Sequence, residues 1–359
     1  MTKKSKSSAL QNKEGVSQSE ITNASSITKI QQKRKAKPTT QELISDIIKG
    51  NITALSRAIT LVESSNPKHL EQANDIIKGC LQYANASVRI GITGVPGVGK
   101  STFIEAFGIH LTTIGKKVAV LAIDPSSSLS KGSILGDKTR MEDLVKNENA
   151  FIRPSPSGSS LGGVARKTRE TIILCEAAGF DTIMIETVGV GQSETAVHSM
   201  VDFFLLLKLA GAGDELQGIK RGIIEMADAI AINKADGDNL KAAKLAKVEF
   251  NRALHLYPQK DSEWQPKVML CSALKQEGIE DLWKDIQSYI EHSKENNYFE
   301  HNRKEQNKFW LLQTIEDRLK SDFFNQPTIK DALKLQLQLI EDDKTTPFVA
   351  AEYLLSLKN

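Results

Sequence analysis

The sequence predicts an α/β fold with a mainly parallel central sheet and helical extensions at both ends. Seven strand-like apolar runs alternate with helical segments between Val88 and Ala273, which is typical of a parallel sheet covered by helices on both faces. Apolar residues recur at helical spacing before this region, from Thr39 to Ala86, and again beyond Leu282. A glycine-rich loop lies between the first strand-like run and the next helix.

That loop matches the phosphate-binding loop of P-loop NTPases. Glycines let successive backbone N–H groups point at phosphate oxygens, and the helix N-terminus adds partial positive charge. Lys100 can reach the β- and γ-phosphates, and Ser101 can ligate Mg²⁺. A chance match is the alternative, but the strand before the loop and the helix after it are the context that the motif requires. The nucleotide-binding residues expected here are Gly94, Val95, Pro96, Gly97, Val98, Gly99, Lys100, Ser101 and Thr102.

A second motif ends the apolar run 229–232 and reads Asn233-Lys234-Ala235-Asp236. The Asp236 carboxylate can accept hydrogen bonds from guanine N1–H and the exocyclic amine, whereas adenine would leave it unpaired at a cost. Asn233 can bond the other edge of the base, and the Lys234 stem can lie along the ring. The alternative is that these four residues are an ordinary polar segment that follows a strand. After a phosphate-binding loop, at the end of a later strand, they predict guanine binding.

A third segment fits the short loop that closes over the base in GTPases. Ser272 and Ala273 follow the strand-like run 267–270. An ordinary strand exit explains these two residues equally well, so their assignment to the GTP site depends on the two motifs before them.

Two carboxylates follow other strand-like runs and are candidate metal ligands. Asp124 follows the run 119–123, and Glu186 follows the run 181–185. Most GTPases place Asp-x-x-Gly at the second position; here the residues are Glu186 and Gly189, and the longer carboxylate can still bind Mg²⁺. The Gly189 N–H can contact the γ-phosphate, which allows the loop to act as a switch. Capping of the following turn is the alternative role for both carboxylates.

Two polar segments are predicted to move with nucleotide state. Residues 126–136 are rich in Ser and Gly, bury little apolar surface and precede Asp137. Asp137 is either a metal ligand that arrives when the loop closes or the N-cap of a following helix. Residues 210–220, which contain three glycines and end at Lys220, suit a third moving loop.

Composition excludes several classes of protein. The chain has 359 residues and a net charge of +3, so we expect no general affinity for nucleic acid. Its cysteines are Cys80, Cys175 and Cys271; their wide spacing indicates neither a disulfide framework nor a zinc site. No apolar run is long enough to cross a bilayer. We therefore expect a reduced, cytoplasmic chain without a membrane partner.

The sequence divides into four predicted regions. Residues 1–37 are rich in Ser, Lys, Gln and Asn and lack the apolar core of a secretory signal. Their acidic residues and weak amphipathicity favour a disordered polar tail over a transit peptide. The other regions are an N-terminal helical extension at 38–86, a P-loop GTPase domain at 87–288 and a C-terminal helical dimerisation region at 289–359. In the last region Phe309, Trp310, Leu312 and Ile315 are predicted to form one apolar face.

The motifs as a set closely resemble the MeaB/ArgK family of methylmalonyl-CoA mutase-associated GTPases, formerly labelled LAO/AO transport ATPases, within the SIMIBI class of P-loop GTPases. The string at 186–194, Glu-Thr-Val-Gly-Val-Gly-Gln-Ser-Glu, is the most specific. The resemblance covers roughly residues 39 to 359. The other matching segments are 94–101, 124–127, 133–141, 153–156, 161–163 and 233–236.

The resemblance implies a homodimeric GTPase that binds an adenosylcobalamin-dependent mutase, gates cofactor delivery and helps to reactivate the mutase. It implies that Ser101, Asp124, Asp137 and Glu186 surround Mg²⁺, and that Lys220 relays nucleotide state to the mutase. GTP or GDP is the bound nucleotide, and we expect no direct binding of cobalamin.

Hydrolysis by water would then depend mainly on positioning and charge, with Lys100 as the principal catalytic group. Gln192 is a candidate for positioning the water, but it lies three residues after Gly189, whereas the catalytic Gln of small GTPases directly follows its Gly. We therefore expect slow intrinsic turnover that a partner accelerates.

Other functions remain open on the residues alone. A nickel-inserting metallochaperone GTPase would need clustered Cys and His ligands near the switches, and the sequence shows none. A kinase acting on transport proteins would need a phosphoacceptor site, which no motif supplies. A scaffold with a vestigial pocket conflicts with the intact Lys100, Ser101 and Asp236. A related acyl-CoA mutase is an alternative client.

Overall fold

The computed structural model describes residues 38–64, 66–84, 87–123, 141–154, 161–187, 193–211 and 221–357, without the side chains of Leu161 and Arg221. The predicted polar tail at 1–37 lies outside these residues. Residues 40–359 group as one compact unit, and the internal region boundaries remain predictions. The boundary at 288 falls inside a helix that spans Ile279–Glu295.

Seven parallel strands form one sheet in the order β3-β2-β4-β1-β5-β6-β7. This confirms the predicted α/β class and the mainly parallel sheet. The order places β1 centrally, so the loop that follows it emerges at a point where connections run to both sides, which is where α/β sheets bind ligands. The strands are β1 Val88–Gly94, β2 Val118–Ile123, β3 Ala150–Arg153, β4 Thr182–Thr187, β5 Phe203–Leu209, β6 Ala229–Asn233 and β7 Lys267–Leu270.

Helices precede, connect and follow the strands. Asn51 caps the second helix, accepting a hydrogen bond of 3.0 Å from Ala54 N, and Asn66 caps the third, which has Pro67 in its first turn. Among the described residues, no helix is both long and apolar enough to cross a membrane. The helices are α1 Thr40–Ile48, α2 Ile52–Glu63, α3 Pro67–Cys80, α4 Lys100–Thr113, α5 Leu161–Ala177, α6 Ser193–His198, α7 Arg221–Met226, α8 Leu240–Leu254, α9 Ile279–Glu295, α10 Tyr298–Asn325, α11 Pro327–Glu341 and α12 Pro347–Ser356.

Apolar cores cover both faces of the sheet. One core joins α1, α2, α3 and α5 to β2 and β4, so the N-terminal helices pack on the nucleotide domain as their periodicity predicted. A second core joins α4 and α9 to the other face, with Phe103 and Phe107 on the buried stripe of α4. A third lies between α8 and β6 and β7. Burial on both faces explains why the strands are nearly continuous apolar runs.

The helix α10 is fixed to the sheet by buried polar contacts. The Arg303 guanidinium donates hydrogen bonds of 2.7 Å to both carboxylate oxygens of Asp202 and to the Ser87 carbonyl. Trp310 is only 8% exposed, and its Nε1 donates to the Ser199 carbonyl. The prediction of one apolar face is therefore wrong for Trp310: its indole faces the sheet domain, where the N–H finds a partner, whereas Leu312 and Ile315 are exposed.

Candidate nucleotide-binding site

The loop between β1 and α4 has the backbone that a phosphate-binding loop requires. A side chain at Gly94 would place its Cβ 2.6 Å from the Leu207 carbonyl oxygen of the neighbouring strand, so this position admits only glycine. Gly99 has a φ of 90°, a left-handed conformation that favours glycine, and lies directly before the helix. The loop consequently curls over the N-terminus of α4, where free N–H groups and the helix dipole favour an anion.

Lys100 places an ammonium group inside this loop. Its Nζ donates to the Gly94 carbonyl at 2.7 Å and to the Val95 carbonyl at 3.4 Å. Burial lowers the pKa of Lys100, while the nearby carboxylates of Glu186 and Glu194 act in the opposite direction. The group is thus held among carbonyl oxygens that a phosphate could replace as hydrogen-bond acceptor.

The end of β6 is tied directly to the phosphate loop. Asn233 is 1% exposed, and its Nδ2 donates to the Val98 carbonyl at 2.9 Å. Lys234 Nζ donates to the Gly97 carbonyl at 2.9 Å. The structure therefore brings together two motifs that are more than a hundred residues apart, as the sequence predicted for one ligand site.

The segment after β7 contacts the motif at the end of β6. Ser272 Oγ donates a short hydrogen bond to Asp236 Oδ2, and the Ala273 N–H donates to Asn233 Oδ1 at 3.1 Å. The Ser272 hydroxyl also accepts from Lys275 N at 3.2 Å. The hydrogen bond from Ser272 holds one oxygen of the Asp236 carboxylate. Ser272 can therefore fix the orientation in which this carboxylate would accept hydrogen bonds from a base.

The predicted metal ligands are described only in part. Ser101 follows Lys100 at the start of α4, and Glu186, 5% exposed, pairs with Ile92 near the carboxyl end of β4. The residue before Asp124, Ile123, pairs with Thr187. Hydroxyl and carboxylate oxygens are ligands suited to Mg²⁺. The other predicted residues, Asp124, Asp137, Gly189, Gln192 and Lys220, lie outside the described residues, and their roles remain predictions.

Comparison with known proteins agrees with this geometry. A family model described as methylmalonyl-CoA mutase-associated GTPase MeaB matches residues 55–328. The chain belongs to the MeaB family. The match begins inside α2, at Leu55, and includes α3 and all of α10, so it covers more than the nucleotide site.

Two relatives of the chain are described as GTPases, and a third as a methylmalonic aciduria type A homolog. A probable GTPase of Mycobacterium tuberculosis is 47% identical over 310 residues, which is 86% of this chain and 92% of that protein. The GTPase ArgK of Escherichia coli is 44% identical over 309 residues, 86% and 93% of the two chains. A mitochondrial methylmalonic aciduria type A homolog of Mus musculus is 43% identical over 323 residues, 87% and 78% of the two chains.

A solved structure extends the likeness to the fold. A crystal structure described as an LAO/AO transport system kinase matches with a TM-score of 0.71 and 37% identity, covering 89% of this chain and 97% of that one. Membership in the MeaB family makes the chain a GTPase that binds guanine nucleotide and hydrolyses GTP.

The structure adds a buried hydroxyl pair that the motif analysis missed. Thr187 Oγ1 donates to Thr93 Oγ1 at 2.9 Å, and both side chains are buried. Backbone pairing between β1 and β4 ends just before this point, at Ile92 and Glu186. The hydroxyl pair therefore joins the strand that enters the phosphate loop to the strand that carries Glu186. In the sequence, this pair is visible only as a threonine directly before Gly94 and a threonine directly after Glu186.

Glu194 is a second residue of this MeaB-family site that sequence reasoning left without a role. It lies in α6, is 8% exposed, and its carboxylate acts to raise the pKa of Lys100 against the larger lowering effect of burial. A buried carboxylate is costly without a cation nearby, which accounts for its position beside the loop lysine. In the sequence, the only indication of a role for Glu194 was that it is the last residue of the string at 186–194.

Proposed function

We propose that the chain is a Mg²⁺-dependent GTPase that acts as a chaperone of an adenosylcobalamin-dependent methylmalonyl-CoA mutase, gating cofactor loading and protecting and reactivating the mutase. The observation that carries this proposal is the family match over residues 55–328. The relative described as a methylmalonic aciduria type A homolog gives further support. A related acyl-CoA mutase is the alternative client.

In this proposal the two motifs divide the nucleotide between them. Main-chain N–H groups from Gly94 to Thr102 and the Lys100 ammonium hold the phosphates, and Asn233, Lys234 and Asp236 hold the base, supported by Ser272 and Ala273. The contacts of Asn233 and Lys234 with the loop carbonyls support a single continuous site. The Lys100 charge would stabilise the negative charge that develops on the phosphates during hydrolysis.

The described oxygen ligands fit Mg²⁺. Ser101 and Glu186 supply a hydroxyl and a buried carboxylate, and we assign Asp124 and Asp137 to the same ion from the family resemblance. When bound, the ion would supply positive charge that offsets the negative charge of the phosphates. The Thr93–Thr187 hydrogen bond would hold Glu186 in a fixed position relative to the phosphate loop.

Reduced, cytoplasmic surroundings are part of the proposal. All three cysteines are free and buried. Burial raises the pKa of Cys80 to about 11 and that of Cys271 to about 12, so both thiols stay protonated near neutral pH. A protonated thiol is a poor nucleophile and a poor metal ligand, which also weakens the nickel-insertion alternative.

We also propose a homodimer formed through α10. Its outward side exposes Phe309, Leu312, Ile315 and Leu319, at a spacing that makes one stripe opposite the buried Trp310. Leu312 is 62% exposed. Contiguous exposed apolar surface of this kind usually marks an interaction site. A second copy is the occupant that the family resemblance implies.

Replacing Leu312 with Glu should break this dimer. A carboxylate in the centre of an apolar interface loses its hydration without a partner, which weakens association by several kcal/mol. We expect sedimentation velocity at micromolar concentration to shift from dimer to monomer. Leu245→Glu, at an exposed leucine on α8, is the matched control and should leave the dimer intact. A wild-type chain that sediments as a monomer would contradict the proposal.

The mutase proposal is tested by mixing the purified chain with methylmalonyl-CoA mutase. We expect a complex in gel filtration whose stability differs between GDP and a non-hydrolysable GTP analogue, and a GTPase rate at least about tenfold above that of the chain alone. A partner can supply such an acceleration by completing the catalytic site. An acyl-CoA enzyme without cobalamin serves as the negative control.

The alternatives predict other results. Stimulation only by a related acyl-CoA mutase would reassign the client while keeping the mechanism. Stoichiometric nickel binding together with no response to either mutase would favour the metallochaperone alternative. No binding to any mutase in any nucleotide state would refute the chaperone role.

A further inference from the structure

A cavity of about 870 Å³ opens at the edge of the sheet opposite the nucleotide site. Its walls include Asp202, Asp228 and Pro266, which directly precede β5, β6 and β7. The phosphate loop and Asn233 lie instead at the carboxyl ends of their strands. β5 alone is seven residues long, so about 20 Å separate the two edges. The cavity is therefore distinct from the GTP site.

The positive charge in the cavity wall is already neutralised. Lys260 donates to Asp228 Oδ1 at 2.7 Å, and it donates also to two main-chain carbonyls at the end of α7, at 2.9 and 2.8 Å. These three bonds use all three N–H donors of the ammonium. Asp202, on the same wall, is paired with Arg303. Neither pair leaves a cation to receive an anionic ligand.

Three further carboxylates, those of Glu225, Asp261 and Glu263, line the cavity mouth. All three are exposed, and within the described part of the chain none of them forms an ion pair. Because the charges of Lys260 and Asp228, and of Arg303 and Asp202, cancel within each pair, these three carboxylates give the mouth an excess of negative charge. A concave surface lined by one sign of charge concentrates counter-ions and ligands of the opposite sign.

Aromatic side chains form the inner wall. Tyr289 is 3% exposed, and its ring packs edge-on against Trp264 with centroids 5.4 Å apart. Burial raises the pKa of Tyr289, so its phenol stays protonated. Among the described residues this hydroxyl has no hydrogen-bond partner, although it belongs to a residue that lines the cavity. Tyr298 lines the same wall. Aromatic faces and a phenol oxygen both attract organic cations.

We propose that this cavity binds a small organic cation of the amine class. The carboxylates at the mouth would attract its charged groups, and the aromatic wall with the Tyr289 hydroxyl would hold its inner end. A volume of about 870 Å³ suits a molecule of metabolite size. Thr195 and His198 of α6 and Ile224 of α7 also line it, so the ligand contacts the helices that begin just after Gln192 and Lys220.

The test is calorimetric titration of the nucleotide-free full chain with spermidine. Nucleotide is omitted because spermidine would also bind to the phosphates of the nucleotide, and that heat would obscure binding to the cavity. We expect saturable binding at one site per chain, and no binding of 1,8-octanediol, which has a similar length and no charge. The double variant Glu225→Gln/Glu263→Gln should weaken binding at least about tenfold, because it removes two of the carboxylates at the mouth. Tyr289→Phe should weaken it severalfold while keeping the ring.

A matched pair of substitutions separates a site from surface charge. Glu249→Gln/Glu295→Gln removes the same charge from exposed positions outside the cavity and should leave the spermidine affinity unchanged. All these variants should retain wild-type GTP affinity. The proposal is overturned if spermidine shows no saturable binding, if both double variants weaken it equally, or if the diol binds as well as the amine.

Discussion

Lys100→Ala should lower the affinity for GTP by about two orders of magnitude. The partly buried ammonium donates to the Gly94 and Val95 carbonyls of the phosphate loop, and in the complex those hydrogen bonds would pass to phosphate oxygens. A hydrogen bond to a charged group contributes about 1.5–3 kcal/mol, and the upper value corresponds to about a hundredfold change in affinity. Calorimetric titration with GTP at fixed Mg²⁺ measures the loss directly.

The fold should survive this substitution, because the side-chain hydrogen bonds of Lys100 go only to carbonyls of the loop itself. Lys244→Ala, at an exposed position of α8, is the control and should bind GTP normally. Thermal unfolding without nucleotide should be similar for both variants. At the same GTP concentration the control should be stabilised more than Lys100→Ala, since the stabilisation by a ligand rises with the logarithm of its concentration divided by its Kd. Unchanged GTP affinity in Lys100→Ala would contradict the role assigned to this residue.

The contact between the two nucleotide motifs could be expected from the sequence because each motif is a short segment with its own geometry. The phosphate-binding loop around Lys100 can be recognised from a strand, a run of glycines and a helix start, which together span about 14 consecutive residues. Asn233 lies at the end of the short, continuous apolar run 229–232, a pattern that predicts a buried strand. Their contact, through Val98, follows from parallel strands presenting their carboxyl ends at one edge of the sheet.

Long-range arrangements could not be predicted in the same way. The pairing of Thr93 with Thr187 depends on β1 and β4 being neighbours, and strand order is not encoded in either run. Trp310 was grouped with Phe309, Leu312 and Ile315 on one apolar face because the sequence does not tell which apolar residues of a helix face the core and which face outward. Its burial is decided by an N–H acceptor at Ser199, more than a hundred residues away in the sequence.

Asp236→Asn should change the preferred base from guanine to xanthine. The carboxylate can accept hydrogen bonds from guanine N1–H and from the exocyclic amine, whereas an amide offers one acceptor and one donor. Xanthine keeps the N1–H and has a carbonyl in place of the amine, so it complements the amide. Ser272 Oγ, which donates to Asp236 Oδ2, can still donate to the amide oxygen and hold the side chain in place.

We expect the ratio of GTP to XTP affinity to fall by about a thousandfold or more, because guanine would bring two donors to a site that has one acceptor left. Displacement of a fluorescent GDP analogue by GTP and by XTP measures this ratio. Asp238→Asn makes the same charge change at an exposed position two residues away and should leave the ratio unchanged. If the two variants gave the same ratio, net charge rather than hydrogen-bond pattern would select the base, and the assignment of Asp236 would fail.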